Sequence, residues 1–235
     1  MTNLDFLNKN FPIRKTDEEK ELFRNYVIAR LKQKGIDTRI ETTKDGKNRN
    51  IIVGDPTQAK AVFVAHYDTP WRSLFPNIMI PKNPFVFYLY QFTPVIFLLF
   101  ISLTLSYLLG IVLLNDSRAY AICFLVIYYG AFFLMMRVFK NPNNYNDNTS
   151  GVATVLSIID ELEAEYLDKV AFILFDNEEK GKKGSEAYCK DHKNEMAERF
   201  VLNFDCVANG ENIIFIAQKS AIASHKYKEI GRAHV

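Results

Sequence analysis

Cysteine is scarce in this sequence and forms no pattern that a metal site or a disulfide framework would require. The three cysteines, Cys123, Cys189 and Cys206, give neither a Cys-x-x-Cys pair nor an even-numbered set. A thiol metal site and a disulfide scaffold are therefore not expected. Such cysteine usage is typical of a reducing compartment.

A large excess of charge of either sign is also absent. The 29 lysines and arginines nearly balance the 27 aspartates and glutamates, which leaves a formal net charge of +2. Proteins that bind nucleic acid concentrate basic residues on one surface, whereas these are scattered, so nucleic acid is not an expected partner. Residues 1–10 lack the apolar core and cleavage site of a secretory leader, which predicts that the first domain begins in the cytoplasm.

Residues 1–83 carry the patterns of the N-terminal part of a soluble α/β domain. Thr16 followed by Glu19 is a capping-box signature, and apolar residues then recur at four-residue spacing until Gly35, which predicts a helix. Strand-like runs separated by turn sequences follow at residues 38–43, 50–53 and 61–65.

Residues 84–140 interrupt this domain with two long apolar runs. In residues 85–114 the only clearly polar side chains are Tyr, Ser, Thr and Gln91. Thr93-Pro94 can open a helix of about 20 residues, enough to span ~30 Å of hydrocarbon. A second apolar run at 119–139 follows a short polar tip, so the pair predicts a transmembrane helical hairpin. The alternative is a buried hairpin or a dimer interface of a soluble protein.

Basic residues around the hairpin predict its orientation. Arg72 and Lys82 precede the hairpin, Arg137 and Lys140 follow it, and the tip offers Arg118 alone. By the positive-inside rule both ends of the hairpin lie in the cytoplasm. The lipid bilayer is therefore an expected partner, and the soluble part is expected to face the cytosol.

The soluble pattern resumes after residue 140. A helix is predicted at about residues 150–165, a strand at 170–175, a helix at 184–199, and strands at 200–204 and 213–217. Apolar runs that alternate with amphipathic helices indicate an α/β fold, with a mostly parallel or mixed sheet covered by helices on both faces. The hairpin is an insertion into this fold.

Three of the apolar runs lead directly into residues that can bind a metal ion. They lead into His66, into Glu178 and Glu179, and into Asp205. The carboxyl ends of strands form the ligand crevice of open α/β sheets, and Asp147, in an Asn/Asp-rich loop before a predicted helix, can reach the same crevice. The sequence therefore predicts that these side chains converge.

Each of these residues alone also has an ordinary structural explanation. His66 can be a hydrogen-bonded histidine at a strand end, the glutamate pair a solvated acidic patch, and the two aspartates turn or capping residues. Together, the carboxylates of Asp147, Glu179 and Asp205 suit a pair of divalent ions better than one.

Asp68 and Glu178 have different predicted roles. Asp68 shares a face of an extended segment with His66, and a carboxylate there can fix the tautomer of a metal-bound histidine. Glu178 and Glu179 point in different directions, so one can bind metal while the other acts as a general base toward the attacking water.

Four sequence blocks resemble, in order, those of peptidase family M28, which comprises di-zinc aminopeptidases and their relatives. The blocks are Ala65–Thr69, Asn146–Ala153, Asn177–Gly181 with Gly184-Ser185, and Asn203–Asp205. The resemblance implies two zinc ions. It implies that His66 and Asp205 bind one ion, Glu179 binds the other, Asp147 bridges both, Glu178 is the base and Asp68 orients His66.

The resemblance leaves one ligand unassigned. The family's fifth ligand is a histidine nearer the C-terminus, and the candidates are His192 in a predicted helix, His225 at too short an interval, and His234. Residues 230–235 match the translation of a widely used sequencing adapter. We therefore expect that residues 141–229 are an incomplete remainder of the peptidase domain, and that the natural chain continues and supplies the histidine.

The activity that the resemblance implies is that of a zinc-dependent aminopeptidase acting on peptides with a free N-terminus. The related carboxypeptidases and deacylases carry the same ligand order, and glutaminyl cyclases bind one zinc on a similar scaffold. Asn148–Gly151 after Asp147 favours the aminopeptidase type. A membrane-anchored pseudopeptidase that only binds a partner is the non-enzymatic alternative.

Overall fold

The structure is a computed structural model that describes residues 1–72, 83–137, 140–197, 199–208 and 214–223. The chain divides into two compact units. The first contains residues 1–69 and 143–235, and the second contains residues 70–142.

Helices precede, separate and follow the strands along the described chain. The helices are α1 (Asn3–Asn10), α2 (Asp17–Gln33), α3 (Pro84–Ser106), α4 (Ser117–Arg137), α5 (Ser150–Glu161), α6 (Ala164–Leu167), α7 (Lys183–Asp191), α8 (Lys193–Met196) and α9 (Lys219–Ala223). The strands are β1 (Thr38–Thr42), β2 (Arg49–Val53), β3 (Ala61–His66), β4 (Val170–Phe175) and β5 (Phe200–Asn203).

The five strands form one mixed sheet in the order β1-β2-β4-β3-β5. β3 pairs in parallel with both β4 and β5, whereas β1–β2 and β2–β4 are antiparallel. A short turn closed by the Thr43 N–H donating to the Asn48 carbonyl, at 3.0 Å, joins β1 to β2, and such a turn permits only an antiparallel pair. The prediction of a mostly parallel or mixed sheet is thus confirmed as a mixed sheet, whose parallel pairs are β4–β3 and β3–β5.

Both faces of the sheet are covered by helices, as predicted. Side chains alternate along β4: Phe172 and Leu174 join one buried cluster, and Ala171 and Ile173 join the other. Apolar residues of α1, α2 and α5 complete the first cluster, and Tyr188 of α7 packs in the second. The sheet is therefore the middle layer of an α/β domain.

Helix α2 begins and ends where the sequence predicts. The Thr16 hydroxyl accepts a hydrogen bond from the Glu19 N–H at 3.3 Å, and the Glu19 carboxylate accepts one from the Thr16 N–H at 2.9 Å. Gly35 follows the helix with a φ of +72°, a conformation that glycine adopts without a steric penalty.

The second unit contains the two long apolar helices. The segment Phe85–Leu113, which includes a π-helical continuation of α3, has a window of mean hydropathy 2.6, and Ser117–Leu134 has one of 1.5. Only 22% and 0% of these windows are buried, whereas the core helices of a soluble protein are mostly buried. By length and composition, both helices can cross a membrane.

Helix α3 begins earlier than predicted, at Pro84 rather than at Thr93. The Asn83 side chain accepts a hydrogen bond from the Val86 N–H at 3.1 Å and so caps the helix, which then continues through Pro94. Further along, a Cβ at Gly110 would collide with the backbone of Tyr120, so glycine permits the close approach of the two hairpin arms.

Other predictions in the second half of the chain need correction. The helix predicted at 150–165 ends at Glu161, because Leu162 is extended. The helix predicted at 184–199 breaks at His192, which lies between α7 and α8. Residues 214–217 do not form the predicted last strand. Ile213 lies outside the described residues, as does Lys82, one of the basic residues that precede the hairpin.

Candidate metal centre

Three strand ends meet at one edge of the sheet and carry the predicted ligands. β3 ends in His66, a single helical turn with Glu178 and Glu179 follows β4, and Asp205 follows β5. Because β4, β3 and β5 are parallel neighbours, their carboxyl ends share this edge. The loop before α5 brings Asp147 to the same place.

Interatomic distances group these side chains around Asp147. Its Oδ1 lies 3.4 Å from His66 Nε2, and Asp205 Oδ1 lies 3.9 Å from the same nitrogen. Ligand atoms of His66, Asp147 and Glu179 lie within 4.8 Å of one another, and so do those of Asp147, Asp205 and Cys206. Asp147 thus belongs to both groups.

The donor set fits zinc. Imidazole nitrogen and carboxylate oxygen are both common zinc ligands, and in tetrahedral geometry they lie roughly 3.3–3.6 Å apart around one ion. The 3.4 Å between His66 and Asp147 matches that separation.

Asp68 connects the end of β3 to the turn that carries the glutamates. Its carboxylate accepts the backbone N–H of Glu178 at 3.0 Å and that of Glu179 at 3.1 Å. The carboxylate lies 3.5 Å from His66 Nδ1, and the Asp68 carbonyl lies 3.2 Å from the same nitrogen. Nδ1 is thereby occupied, and Nε2 faces Asp147 and Asp205.

The electrostatics of the cluster favour a positive charge at its centre. Burial alone would lower the pKa of His66, but the carboxylates of Asp147 and Asp68 raise it well above its ordinary value. Burial would raise the pKa of Asp68, yet hydrogen bonds from His66 and from the two backbone N–H groups hold it below its usual range. A bound cation can supply the positive charge that the proton on the His66 imidazole otherwise supplies.

The pKa values of the two glutamates are raised, in contrast to that of Asp68. Burial, with a contribution from Asp147, raises the pKa of Glu179 to about 8. Burial also raises the pKa of Glu178, together with repulsion from Asp205. Neighbouring carboxylates of this kind repel one another until a cation compensates them.

The loop that carries Asp147 is attached to the segment after β5. The Asn148 side chain accepts the Gly151 N–H at 3.0 Å and the Cys206 N–H at 3.3 Å, and it donates to the Phe204 carbonyl at 2.9 Å. A Cβ at Gly151 would collide with the Phe204 carbonyl and the Asn148 side chain. Glycine at 151 therefore allows Asp147 and Asp205 to approach each other.

Lys20 is a buried residue beside the candidate centre that the sequence interpretation missed. Its Nζ lies 2.7 Å from Asp176 Oδ1 and 2.9 Å from Asn177 Oδ1, and its side chain is only 1% exposed. Asp176 and Asn177 directly precede the two glutamates. A signal was present, since Lys20 lies three residues before Phe23 on the apolar face of α2.

None of the candidate histidines for a fifth ligand joins the cluster within the described residues. The ring nitrogens of His192 contact Glu41 and Glu195 instead. His225 and His234 lie outside the described part of the chain, as do residues 230–235.

Comparison with known proteins supports the chemistry of this centre. The model of peptidase family M28 matches residues 138–234, a segment that contains Asp147, Glu178, Glu179 and Asp205. No curated protein matches the chain. The family match supports a zinc-dependent peptidase for this part of the molecule, and His66 precedes the matched segment.

Proposed function

We propose that this protein is a membrane-anchored di-zinc aminopeptidase that removes residues from the free N-terminus of peptides. The observation that carries the proposal is the pair of ligand groups that share Asp147, with Glu178 beside them. A carboxylate shared between two ligand groups suits a site in which two metal ions lie close together.

The proposed ligand roles are those that the family resemblance implies, and the 3.9 Å between His66 Nε2 and Asp205 Oδ1 supports the pairing of these two residues. His66 and Asp205 would hold one ion, Glu179 the other, and Asp147 both, with Asp68 fixing the His66 ring. When bound, two zinc ions supply Lewis-acid activation of water and stabilisation of the charge on the substrate carbonyl oxygen.

Glu178 is proposed as the general base and acid. It takes a proton from the attacking water, whose oxygen bonds to the scissile carbonyl carbon. It then returns the proton to the amine nitrogen as the carbon–nitrogen bond breaks. The pKa of Glu178 is raised by burial, toward the range that suits a group that both accepts and donates a proton.

Metal analysis and peptide assays in detergent, on the natural chain with its complete set of metal ligands, test this proposal. We expect two zinc ions per chain and release of the first residue from peptides with a free N-terminus. N-acetylated peptides should be resistant. A chelator should abolish turnover, and zinc should restore it.

The other outcomes each identify a different protein. Release of the last residue would indicate a carboxypeptidase, and loss of an acyl group a deacylase. One zinc per chain with cyclisation of N-terminal glutamine would indicate a glutaminyl cyclase. Bound zinc without turnover on any of these substrates would indicate a pseudopeptidase.

The proposed location is a bilayer in which both hairpin ends lie on the cytoplasmic side. The support is the low burial of the two helices and the basic residues Arg72 and Lys140 at the ends, against Arg118 alone at the tip. Labelling with a membrane-impermeant thiol reagent tests it. In a Cys189→Ser background, Ser117→Cys at the tip should react from outside the cell.

The matched control for that experiment is the native chain, in which the exposed Cys189 belongs to the first unit. Cys189 should react only after the membrane is permeabilised. The reverse pattern would contradict the proposed orientation, and extraction of the chain by carbonate would contradict the membrane insertion itself.

A further inference from the structure

Arg14 is a fully buried arginine between α1 and α2, outside the segment that the family model matches. Its guanidinium donates three hydrogen bonds. Nε donates to the Tyr67 carbonyl at 2.5 Å, Nη1 to the Phe11 carbonyl at 2.6 Å, and Nη2 to the Thr149 hydroxyl at 3.0 Å. One side chain thus bonds to two segments that are distant in sequence.

The backbone around Arg14 strengthens both attachments. The Arg14 N–H donates to the Thr69 hydroxyl at 3.0 Å, and the Thr69 N–H donates to the Arg14 carbonyl at 3.1 Å. On the other side, the Asn144 side chain donates to the Pro12 carbonyl and accepts from the Thr149 hydroxyl. Residues 12–14 therefore hold residues 67–69 and 144–149 together.

These two segments carry proposed parts of the metal centre. Tyr67 directly follows His66, Tyr67 and Thr69 flank Asp68, and Thr149 lies two residues after Asp147. Residues 70–142 separate the segments in sequence. Joining the ends of so long an insertion has an entropic cost that local contacts must offset.

Burial of the Arg14 charge is itself unfavourable. Burial lowers the pKa of Arg14 to about 10, although Asp68 acts in the opposite direction. The face of the Phe23 ring lies 5.3 Å from the guanidinium carbon and offers a favourable contact. The planar fork of arginine can reach two carbonyls and a hydroxyl at once, which the single ammonium of lysine cannot reproduce.

We propose that Arg14 is a positioning residue that sets the separation between the His66–Asp68 segment and Asp147, and thereby the zinc affinity of the centre. The inference rests on the proposed function, because it concerns the same zinc ligands. Arg14 itself makes no contact with the substrate in this role.

Zinc affinity of the full chain, measured by competition with a chromophoric chelator, tests the inference. Arg14→Lys keeps the charge but loses the fork, and we expect roughly a 10-fold or larger loss of affinity, the scale seen when partners of metal ligands are removed. Thr149→Val keeps the shape of the side chain and removes the hydroxyl that accepts from Arg14 and donates to Asn144, so it should also weaken zinc binding.

Arg30→Lys is the matched control for a merely structural effect. Arg30 is also largely buried and donates to Tyr26, Asn3 and Asp160, away from the centre. Thermal unfolding is measured for all variants. Arg30→Lys should lower the unfolding temperature and leave zinc affinity unchanged.

The outcomes separate this inference from the proposed function. Absence of zinc binding by the unsubstituted chain would contradict the proposed function, and with it this inference. Zinc binding by the unsubstituted chain with equal affinity in Thr149→Val and in folded Arg14→Lys would overturn the inference alone. If Arg14→Lys does not fold, the affinity of Thr149→Val decides.

Discussion

At the scale of single residues, adjacent Glu178 and Glu179 have different surroundings. Both backbone N–H groups donate to the Asp68 carboxylate, which therefore holds the backbone of the two residues in place. Asn177 before them has a φ of +55°, and its side chain bonds to Asn48 at 3.0 Å. Hydrogen bonds thus hold Asn177 and the backbone of both glutamates. The two carboxylates can therefore take different roles.

The proposed role of Glu178 predicts a specific kinetic change. Glu178→Gln keeps the size of the side chain but cannot accept a proton, so kcat should fall by about 10²- to 10⁴-fold, the usual contribution of a general base. Zinc content should be unchanged, since Glu178 is not proposed as a ligand. Metal analysis and initial rates on the same preparation measure both.

Glu186→Gln is the control for that substitution, because Glu186 is exposed on α7 a few residues later. It should retain full kcat. Turnover by Glu178→Gln equal to that of the control would remove Glu178 from the role of base.

At the scale of elements, the buried ion pair between α2 and the end of β4 positions the glutamate turn. Lys20 and Asp176 are 1% and 3% exposed, and the second Asp176 oxygen accepts the Arg49 N–H at 3.1 Å. Lys20→Met would leave the Asp176 carboxylate buried without its counter-charge. Breaking such a pair costs about 3–5 kcal/mol.

Urea unfolding followed by circular dichroism measures that cost. Lys32→Met on the exposed side of the same helix should change the free energy of unfolding by less than about 0.5 kcal/mol. The double variant Lys20→Met/Asp176→Asn should recover part of the loss, because no charge is left unpaired. A loss in Lys20→Met no larger than in Lys32→Met would contradict the structural role of the pair.

His192 joins β1 to the α7–α8 turn and predicts a pH dependence of stability. Burial alone would lower the pKa of His192, but hydrogen bonds to Glu41 and Glu195 raise it. Because the folded-state pKa is raised, the contribution of protonated His192 to the free energy of unfolding is fully present below the unfolded pKa, about 6.5. It is lost as the pH rises through the folded-state pKa.

Comparison with His192→Gln isolates this contribution, since other titrating groups are common to both chains. The difference in the free energy of unfolding should be largest at the acidic end of a series from about pH 5 to 9 and should shrink toward the alkaline end. A difference that grows with pH would show that the two carboxylates do not act on His192.

Elements were predictable from the sequence where local signals sufficed. The capping box of α2 and the apolar run of β4 gave correct bounds, since both depend on residues within a few positions. The break at His192 was not predictable, because it coincides with a contact to Glu41 in a distant strand. The contacts of Arg14 and Lys20 were not predictable either, because their partners are also distant in sequence.

The candidate site was predictable as a set of residues because each strand end could be read locally. The structure brings together the four predicted ligands His66, Asp147, Glu179 and Asp205. Their individual roles stay predictions. The antiparallel pairing of β2 with β4 could not be inferred, since an apolar run gives no strand direction.

At the scale of the whole molecule, the second unit exposes apolar surface that a bilayer would cover. Val126 is 67% exposed in the middle of α4. Val126→Arg should therefore reduce membrane insertion, by about 2.5–3.5 kcal/mol for a charge at the centre of a spanning helix. The membrane-bound fraction of the expressed chain measures the effect.

Leu114→Arg is the matched control, because Leu114 is 62% exposed but lies at the tip of the hairpin. It should remain in the membrane fraction. If Val126→Arg behaves like Leu114→Arg, or improves solubility, the hairpin does not span a bilayer.

The attachment of residues 12–14 to Thr69 and Asn144 has a consequence for engineering. Because the two chain segments that flank residues 70–142 are both hydrogen-bonded to residues 12–14 of the first unit, we expect that the first unit keeps its fold when the insertion is replaced. A short flexible linker in its place, joining residues 69 and 143, is the natural design for a water-soluble form of the first unit.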